Sequence, residues 1–336
     1  MKSGLGLRLA RVALATVALV SVIFLLGPRN EFGPSTPTQR VLLPSNIEGL
    51  EDALKAIEAA YPDIRPGTEK GIVWASQAKQ RTPWSVVYIH GFSASRLETA
   101  PLAELVAKAM GANVFYTRLT GHGRADAAMG EASVQDWMAD AVEALRVGQT
   151  LGERVLVISC SSGSTLATWL ALRPEGKQVA AHVFISPNFG PKNKRSEIIN
   201  LPWGTKIAIA LEGETRGKAS DDAAEARGWN HRYPTRALFP MMAMVKNARD
   251  SDLSRFTTPV KVLYSLNDQT VDPSETQAAF ARIGAPLKSI EPVNYSKSKG
   301  QHVLAGDLRA PDATAPMAAS IVTWVKALPL PADSKR

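Results

Sequence analysis

The chain has 336 residues, 45% of them hydrophobic, enough for one large core carrying an insertion and no second domain. A net charge of +8 is dispersed without basic runs or aromatic interleaving, which argues against nucleic acid and for a solvated basic surface able to approach anionic lipid. The single cysteine, Cys160, excludes an internal disulfide.

At the N-terminus, Lys2, Arg8 and Arg11 precede an apolar run from Val12 to Leu26 that Gly27-Pro28 ends. Residues 1–27 therefore read as a signal sequence or signal anchor. Phe24-Leu25-Leu26 is bulky and Pro28 sits where a peptidase would cut, so no small-x-small cleavage site follows. Counted from near Leu9, the stretch approaches the roughly 17 residues that are the lower limit for a span. The basic flank keeps the N-terminus in the cytoplasm. The expectation is an uncleaved single-pass anchor in a bacterial inner membrane, with the remaining chain in the periplasm. The alternative is a secreted or periplasmic protein released by signal cleavage. Residues 28–45, rich in Pro, Gly and Thr, read as a linker that lifts the domain off the membrane.

The domain is expected over 46–336. Leu50, Leu54 and Ile57 at helical spacing predict a short amphipathic helix within 47–61. From Gly71 onward, short apolar strands alternate with helical stretches, the pattern of an α/β fold with a mainly parallel sheet covered by helices. Strands are predicted at 72–75, 86–89, 114–117, 155–159, 182–186, 260–265 and 288–293. Helices are predicted at 97–110, 134–147, 162–172, 274–282 and 317–325. Between about 188 and 258 the alternation breaks, with Pro191, Pro202, Pro234 and Pro240 and scattered helical runs. This reads as a mostly helical lid over the C-terminal edge of the sheet, where open α/β sheets bind ligands. Trp203, Trp229, Tyr233, Phe239, Met241, Met242 and Met244 supply its apolar faces.

The stretch 154–167 is the centre of the pattern: the strand Val155–Ser159 runs into Ser161, and a small-residue helix starts at once behind it. Such a turn holds its apex residue in a strained backbone and demands small neighbours, here Ser159, Ser162, Gly163 and Ser164. Ser159-Cys160-Ser161-Ser162-Gly163 resembles the nucleophile elbow of the α/β-hydrolases, G-x-S-x-G, with serine in place of the first glycine. A tight turn carrying a solvated serine is the bland reading of the same residues. Cys160 precedes the apex, so its side chain should point into the fold.

A nucleophilic serine needs a base. Of the five histidines, His302 alone lies in a polar loop after the last predicted strand, which satisfies the chain order of serine, acid, histidine. The segment Leu263–Pro273 is similar to the family's acid loop and offers Asp268 and Asp272. Asp268 matches the acid; Asp272 before Pro273 has the pattern of a helix N-cap. His90-Gly91-Phe92 resembles the family's His-Gly loop, which implies an oxyanion hole built from the backbone N–H groups of Phe92 and Ser162. Arg118–Gly123 resembles a turn common in the family that supports the same region. The resemblance spans about residues 71–327 and implies an α/β-hydrolase with a lid, acting as a serine esterase or lipase-like enzyme on small-molecule or lipid-like esters of uncharged, apolar acyl groups. It implies no cofactor or metal. Amide, thioester or lactone hydrolysis, or a non-catalytic envelope binding protein, are the alternatives.

Overall fold

Alternate residues of the central strands point to opposite faces, and both faces are buried. On the strands containing Val87, Ile89, Val155 and Val157 these side chains enter one core, while Val86, Tyr88, Leu156 and Ile158 enter the other. Continuous apolar strands of this kind are what a parallel sheet covered on both sides requires. The computed structural model describes residues 3–329, so Lys2 of the basic flank and the C-terminal residues 330–336 of the expected domain lie outside the described residues.

In chain order the elements are α1 (Ser3–Leu25), α2 (Leu50–Ala59), β1 (Gly71–Val73), β2 (Thr82–Ile89), α3 (Leu102–Met110), β3 (Asn113–Tyr116), α4 (Val134–Leu151), β4 (Gly152–Cys160) and α5 (Ser162–Ala171). They continue with β5 (Val179–Ile185), α6 (Gly204–Glu212), β6 (Thr215–Gly217), α7 (Ala223–Gly228), β7 (Arg232–Pro234) and α8 (Leu238–Asp250). Last come β8 (Val260–Tyr264), α9 (Pro273–Arg282), β9 (Lys288–Pro292) and α10 (Pro311–Lys326). Seven strands form one sheet in the order β1-β3-β2-β4-β5-β8-β9, parallel throughout except for β1. Helices α3 and α10 contribute to the core on one face, and α4, α5, α8 and α9 to the core on the other.

Differences from the sequence expectation have local causes. The helix predicted at 97–110 is split into a turn at Arg96–Glu98 and α3, because Pro101 has no N–H and restricts the residue before it. Helix α4 runs on to Leu151 from a capping box in which Ser133 and Asp136 satisfy each other's backbone N–H. The insertion between β5 and β8 is not wholly helical: β6 and β7 pair antiparallel at its centre. A Cβ at Gly217, whose φ is +82°, would lie 2.0 Å from the His231 carbonyl, so the ladder depends on glycine there.

The stretch read as a spacer is seated along the domain. Gln135 Nε2 donates to the carbonyls of Phe32 and Pro34, Thr38 N–H donates to the Gln135 carbonyl, and Phe32 and Leu43 pack on the core. Arg40 donates to Thr120 Oγ1 and the Asp136 carbonyl and pairs with buried Asp140 at 3.0 Å. Proline and glycine content signals an irregular backbone, which can be a docked strap as readily as a free tether. Ahead of the strap, the apolar segment Arg8–Leu25 of α1 is long enough to cross a membrane and is fully exposed. Its end meets the insertion: Trp203 N–H donates to the Pro28 carbonyl at 2.7 Å and Trp203 Nε1 to the Ile23 carbonyl at 3.2 Å.

Candidate active site

Strand β4 delivers Ser161 to the sheet's C-terminal edge. Ser161 has φ +51° and ψ −121°, a strained conformation for a residue with a Cβ, held by its N–H to the Ile185 carbonyl and by its own carbonyl accepting from Ser164, Thr165 and Asn188. Gly163 is required by close approach, since a Cβ there would meet the Ile89 carbonyl at 2.3 Å. The departure from the elbow pattern also has a use. Ser159 Oγ donates to Ser164 Oγ, whose hydroxyl returns to the Ser159 carbonyl, so the extra hydroxyl ties strand to helix.

Loops after β8 and β9 bring two further side chains to this serine. His302 Nε2 lies 3.0 Å from Ser161 Oγ, and His302 Nδ1 lies 2.8 Å from Asp268 Oδ2. A carboxylate only accepts, so Nδ1 carries the proton and Nε2 is free to accept from the serine hydroxyl. Asp268 is 1% exposed, and its other oxygen accepts from the N–H groups of Thr270 and Val271. The histidine loop is braced by Gln301, which donates to the carbonyls of Ser296 and Ser298, and by Ser186 Oγ, which donates to the His302 carbonyl. Asp272 stands apart from this chain. It caps α9 through the hydroxyl and N–H of Ser274 and pairs with Lys194, and those partners hold its carboxyl down at about 2.

The other histidines near the edge are enclosed. Leu119 N–H donates to His90 Nε2, so His90 Nδ1 is the protonated nitrogen and donates to the Gly91 carbonyl; burial lowers this ring to about 4 and keeps it neutral. The His122 ring packs on His90, and burial likewise lowers it. The two rings support the loop that presents Phe92. Among the described residues, neither the Phe92 N–H nor the Ser162 N–H donates to a protein acceptor. Cys160 is fully buried, and burial pushes its thiol up, away from the thiolate form.

The insertion closes over this edge. Asn230 N–H donates to the Ser93 carbonyl, the Tyr233 ring packs edge-on against Phe92, and Asn188 Nδ2 reaches both Ser162 Oγ and Met241 Sδ. Ile199, Ala208, Leu238 and Met242 form a small apolar cluster there, against which Phe92, Tyr233, Phe239 and Met241 pack while half-buried. Of the lid residues named from sequence, Trp229, Met242 and Met244 are buried in the fold, and Trp203 lies at the α1 junction. A separate groove of about 1130 Å³ lies between the strap and α4, lined by neither Ser161, Asp268 nor His302. Sequence reasoning missed Asn188, Ser186 and Glu98, a 2%-exposed carboxyl behind the Phe92 loop. No spacing or motif marks them: Ser186 and Asn188 find their partners far along the chain, and the fold of the loop after β2 turns Glu98 back onto Gly91 and Tyr88.

Residues 80–295 match the family described as serine aminopeptidase, S33. The chain is 25% identical over 212 residues to the thermostable monoacylglycerol lipase of Bacillus sp. (strain H-257), covering 62% of this chain and 80% of that one. Among solved structures, it resembles one described with LipS and LipT, two metagenome-derived lipolytic enzymes, at TM-score 0.63 and 22% identity over 78% of this chain and 99% of that one. A monoacylglycerol lipase of Paleococcus ferrophilus matches at TM-score 0.54 and 16% identity, over 76% and 97% of the two chains. At these identities the solved structures attest the fold, while the family match takes in the sheet from β2 to β9. The chain belongs to the serine aminopeptidase S33 family and is a serine hydrolase of the α/β-hydrolase fold.

Proposed function

We propose that this serine hydrolase cleaves carboxylic esters through an acyl-enzyme, with Ser161 as nucleophile, His302 as base and Asp268 as the acid that orients it. The carrying observation is the unbroken hydrogen-bonded chain from Ser161 Oγ through both ring nitrogens of His302 to Asp268. Ser161 Oγ attacks the ester carbonyl carbon as its proton passes to His302 Nε2. Asp268 holds the Nδ1–H tautomer and stabilises the imidazolium. The N–H groups of Phe92 and Ser162 take the negative charge of the tetrahedral oxygen. Collapse expels the alcohol, which leaves with the proton from Nε2. Water then repeats the sequence on the acyl group and regenerates Ser161.

The substrate reading is an uncharged, lipid-like ester with an apolar acyl chain. It is supported by the half-buried Phe92, Tyr233, Phe239 and Met241 beside the elbow and by the relative described as a monoacylglycerol lipase. Residues 188–258 then act as a lid. The family description names an aminopeptidase, whose substrate amine is cationic. The carboxyls brought to the elbow, Asp268 and Glu98, are both engaged by hydrogen bonds, which favours the ester. Labelling of the purified protein by a fluorophosphonate probe, abolished in Ser161→Ala, is the expected result; an unlabelled wild type would overturn the reading. For placement, we propose that α1 anchors the chain in a bacterial inner membrane with the hydrolase in the periplasm. Full-length protein should then sediment with membranes and resist high-salt washing. Recovery from cells of a form lacking residues 1–27 would favour a cleaved signal instead.

A further inference from the structure

Glu98 has no part in the chemistry above, yet it is among the most enclosed carboxyls near the elbow. It ends the short turn after β2, and its Oε2 accepts from Gly91 N–H at 2.8 Å and from the Tyr88 hydroxyl at 3.0 Å. The Cys160 thiol faces the same carboxyl. Gly91 is pressed between this group and the nucleophile: a Cβ on Gly91 would lie 2.8 Å from Glu98 Oε1 and 3.0 Å from Ser161 Cβ. Burial pushes the Glu98 carboxyl up, while the Gly91 N–H pulls the other way.

The geometry matters because consecutive amides of this loop have different tasks. The Gly91 carbonyl is held by His90 Nδ1–H at 2.9 Å and by Ala94 N–H at 3.3 Å, which sets the peptide plane that carries the Phe92 N–H. The plane before it is set by Glu98 through the Gly91 N–H. Without that acceptor the Gly91 N–H would be a buried, unpaired donor, and glycine imposes little restraint of its own on the backbone. Rotation of the loop to satisfy it would turn the next amide away.

We propose that Glu98 is a positioning residue for the oxyanion hole: by accepting the Gly91 N–H it aims the Phe92 N–H at the oxygen of the tetrahedral intermediate. The proposal rests on the serine-hydrolase site described above and goes beyond it in assigning what holds the hole open. Since the donor faces charge that develops only in the transition state, its loss acts on kcat and not on ground-state binding.

The test compares Glu98→Ala, Glu98→Gln and Glu98→Asp in the full chain on p-nitrophenyl butyrate, with a trifluoromethyl ketone as transition-state analogue. Removing an oxyanion donor outright costs about 100-fold or more, so misaiming it in Glu98→Ala should lower kcat by at least roughly 30-fold. KM should stay within about threefold, and affinity for the ketone should fall in step with kcat. Glutamine keeps an acceptor at the same reach, so Glu98→Gln should recover kcat to within about threefold of wild type. Glu98→Asp, one methylene short, should lose activity as alanine does, and it replaces alanine if that variant fails to fold. The role is overturned if the shortened variant keeps kcat, if the loss appears in KM, or if glutamine loses as much as aspartate. A wild type that no fluorophosphonate labels would instead bring down the hydrolase reading and this role with it.

Discussion

The strand-end edge and the insertion above it face the same space but are built by different forces. At the edge directed hydrogen bonds hold the side chains that meet Ser161: Asp268 takes two backbone N–H groups and the His302 ring, and the histidine loop is tied by Gln301 and Ser186. The insertion contributes an apolar cluster of Ile199, Ala208, Leu238 and Met242, with methionine and aromatic side chains half-buried around it. Directional bonds fix reacting atoms to tenths of an ångström. Apolar contact is non-directional, and methionine adapts to its neighbour. Under the proposed function, the edge would carry the chemistry and the cover the choice of substrate.

Breaking the edge should therefore abolish turnover. Ser161→Ala is expected to lower hydrolysis of a p-nitrophenyl ester by about three orders of magnitude or more. Cys160→Ala, one residue away but buried, should keep most activity. The reverse pattern would show that the nucleophile has been misassigned. Next in size is the pair of aspartates. Asp268→Asn leaves His302 without tautomer control and should cost at least about 100-fold in kcat. Asp272→Asn should be nearly silent, since asparagine caps a helix equally well and the lost Lys194 pair is a surface one. Equal losses in two folded variants would erase the distinction.

A third experiment probes the strap seated on α4. Asp140 lies beneath it, its carboxyl pushed up to about 6 by burial although Arg40 pulls it down. In the unfolded chain the group ionises near 3.8. As pH rises between these values the unfolded state gives up its proton first, so this group's contribution to stability falls from about pH 4 to about pH 6 and is level above. At about 1.4 kcal/mol per pH unit the loss is roughly 3 kcal/mol. Urea unfolding of wild type and Asp140→Asn should give free energies whose difference changes by that amount across the window. A difference independent of pH would show that Asp140 is not strained by burial.

The smallest effect belongs to the cover. Each buried CH₂ is worth roughly 0.8 kcal/mol, so lengthening the acyl group from acetate to hexanoate should raise kcat/KM at least about tenfold even if half of that burial is realised. A flat or falling profile would remove the apolar cover as a determinant of substrate while leaving the edge intact.

What could be read in the chain is what is local. Alternating strands and helices require only short-range periodicity, and the elbow announces itself because strand, apex and helix are consecutive residues, 155–167. His302 stood out by its place after the last strand. The pattern was silent where the deciding contact is long-range. Spacing alone offers Asp268 and Asp272 as two carboxylates of one loop; the Asp-Pro pattern marks Asp272 as a cap and the resemblance points to Asp268, but that Asp268 meets His302 is a contact between loops 34 residues apart. Proline and glycine marked residues 28–45 as irregular, but seating on α4 depends on Gln135, Asp136 and Asp140, about 100 residues further on. Helix and strand propensities are carried by neighbours along the backbone, so sequence determined the architecture and the elbow. Hydrogen-bond partners of buried groups such as Glu98 and Asp140 are chosen by packing, and only the tertiary structure could decide them.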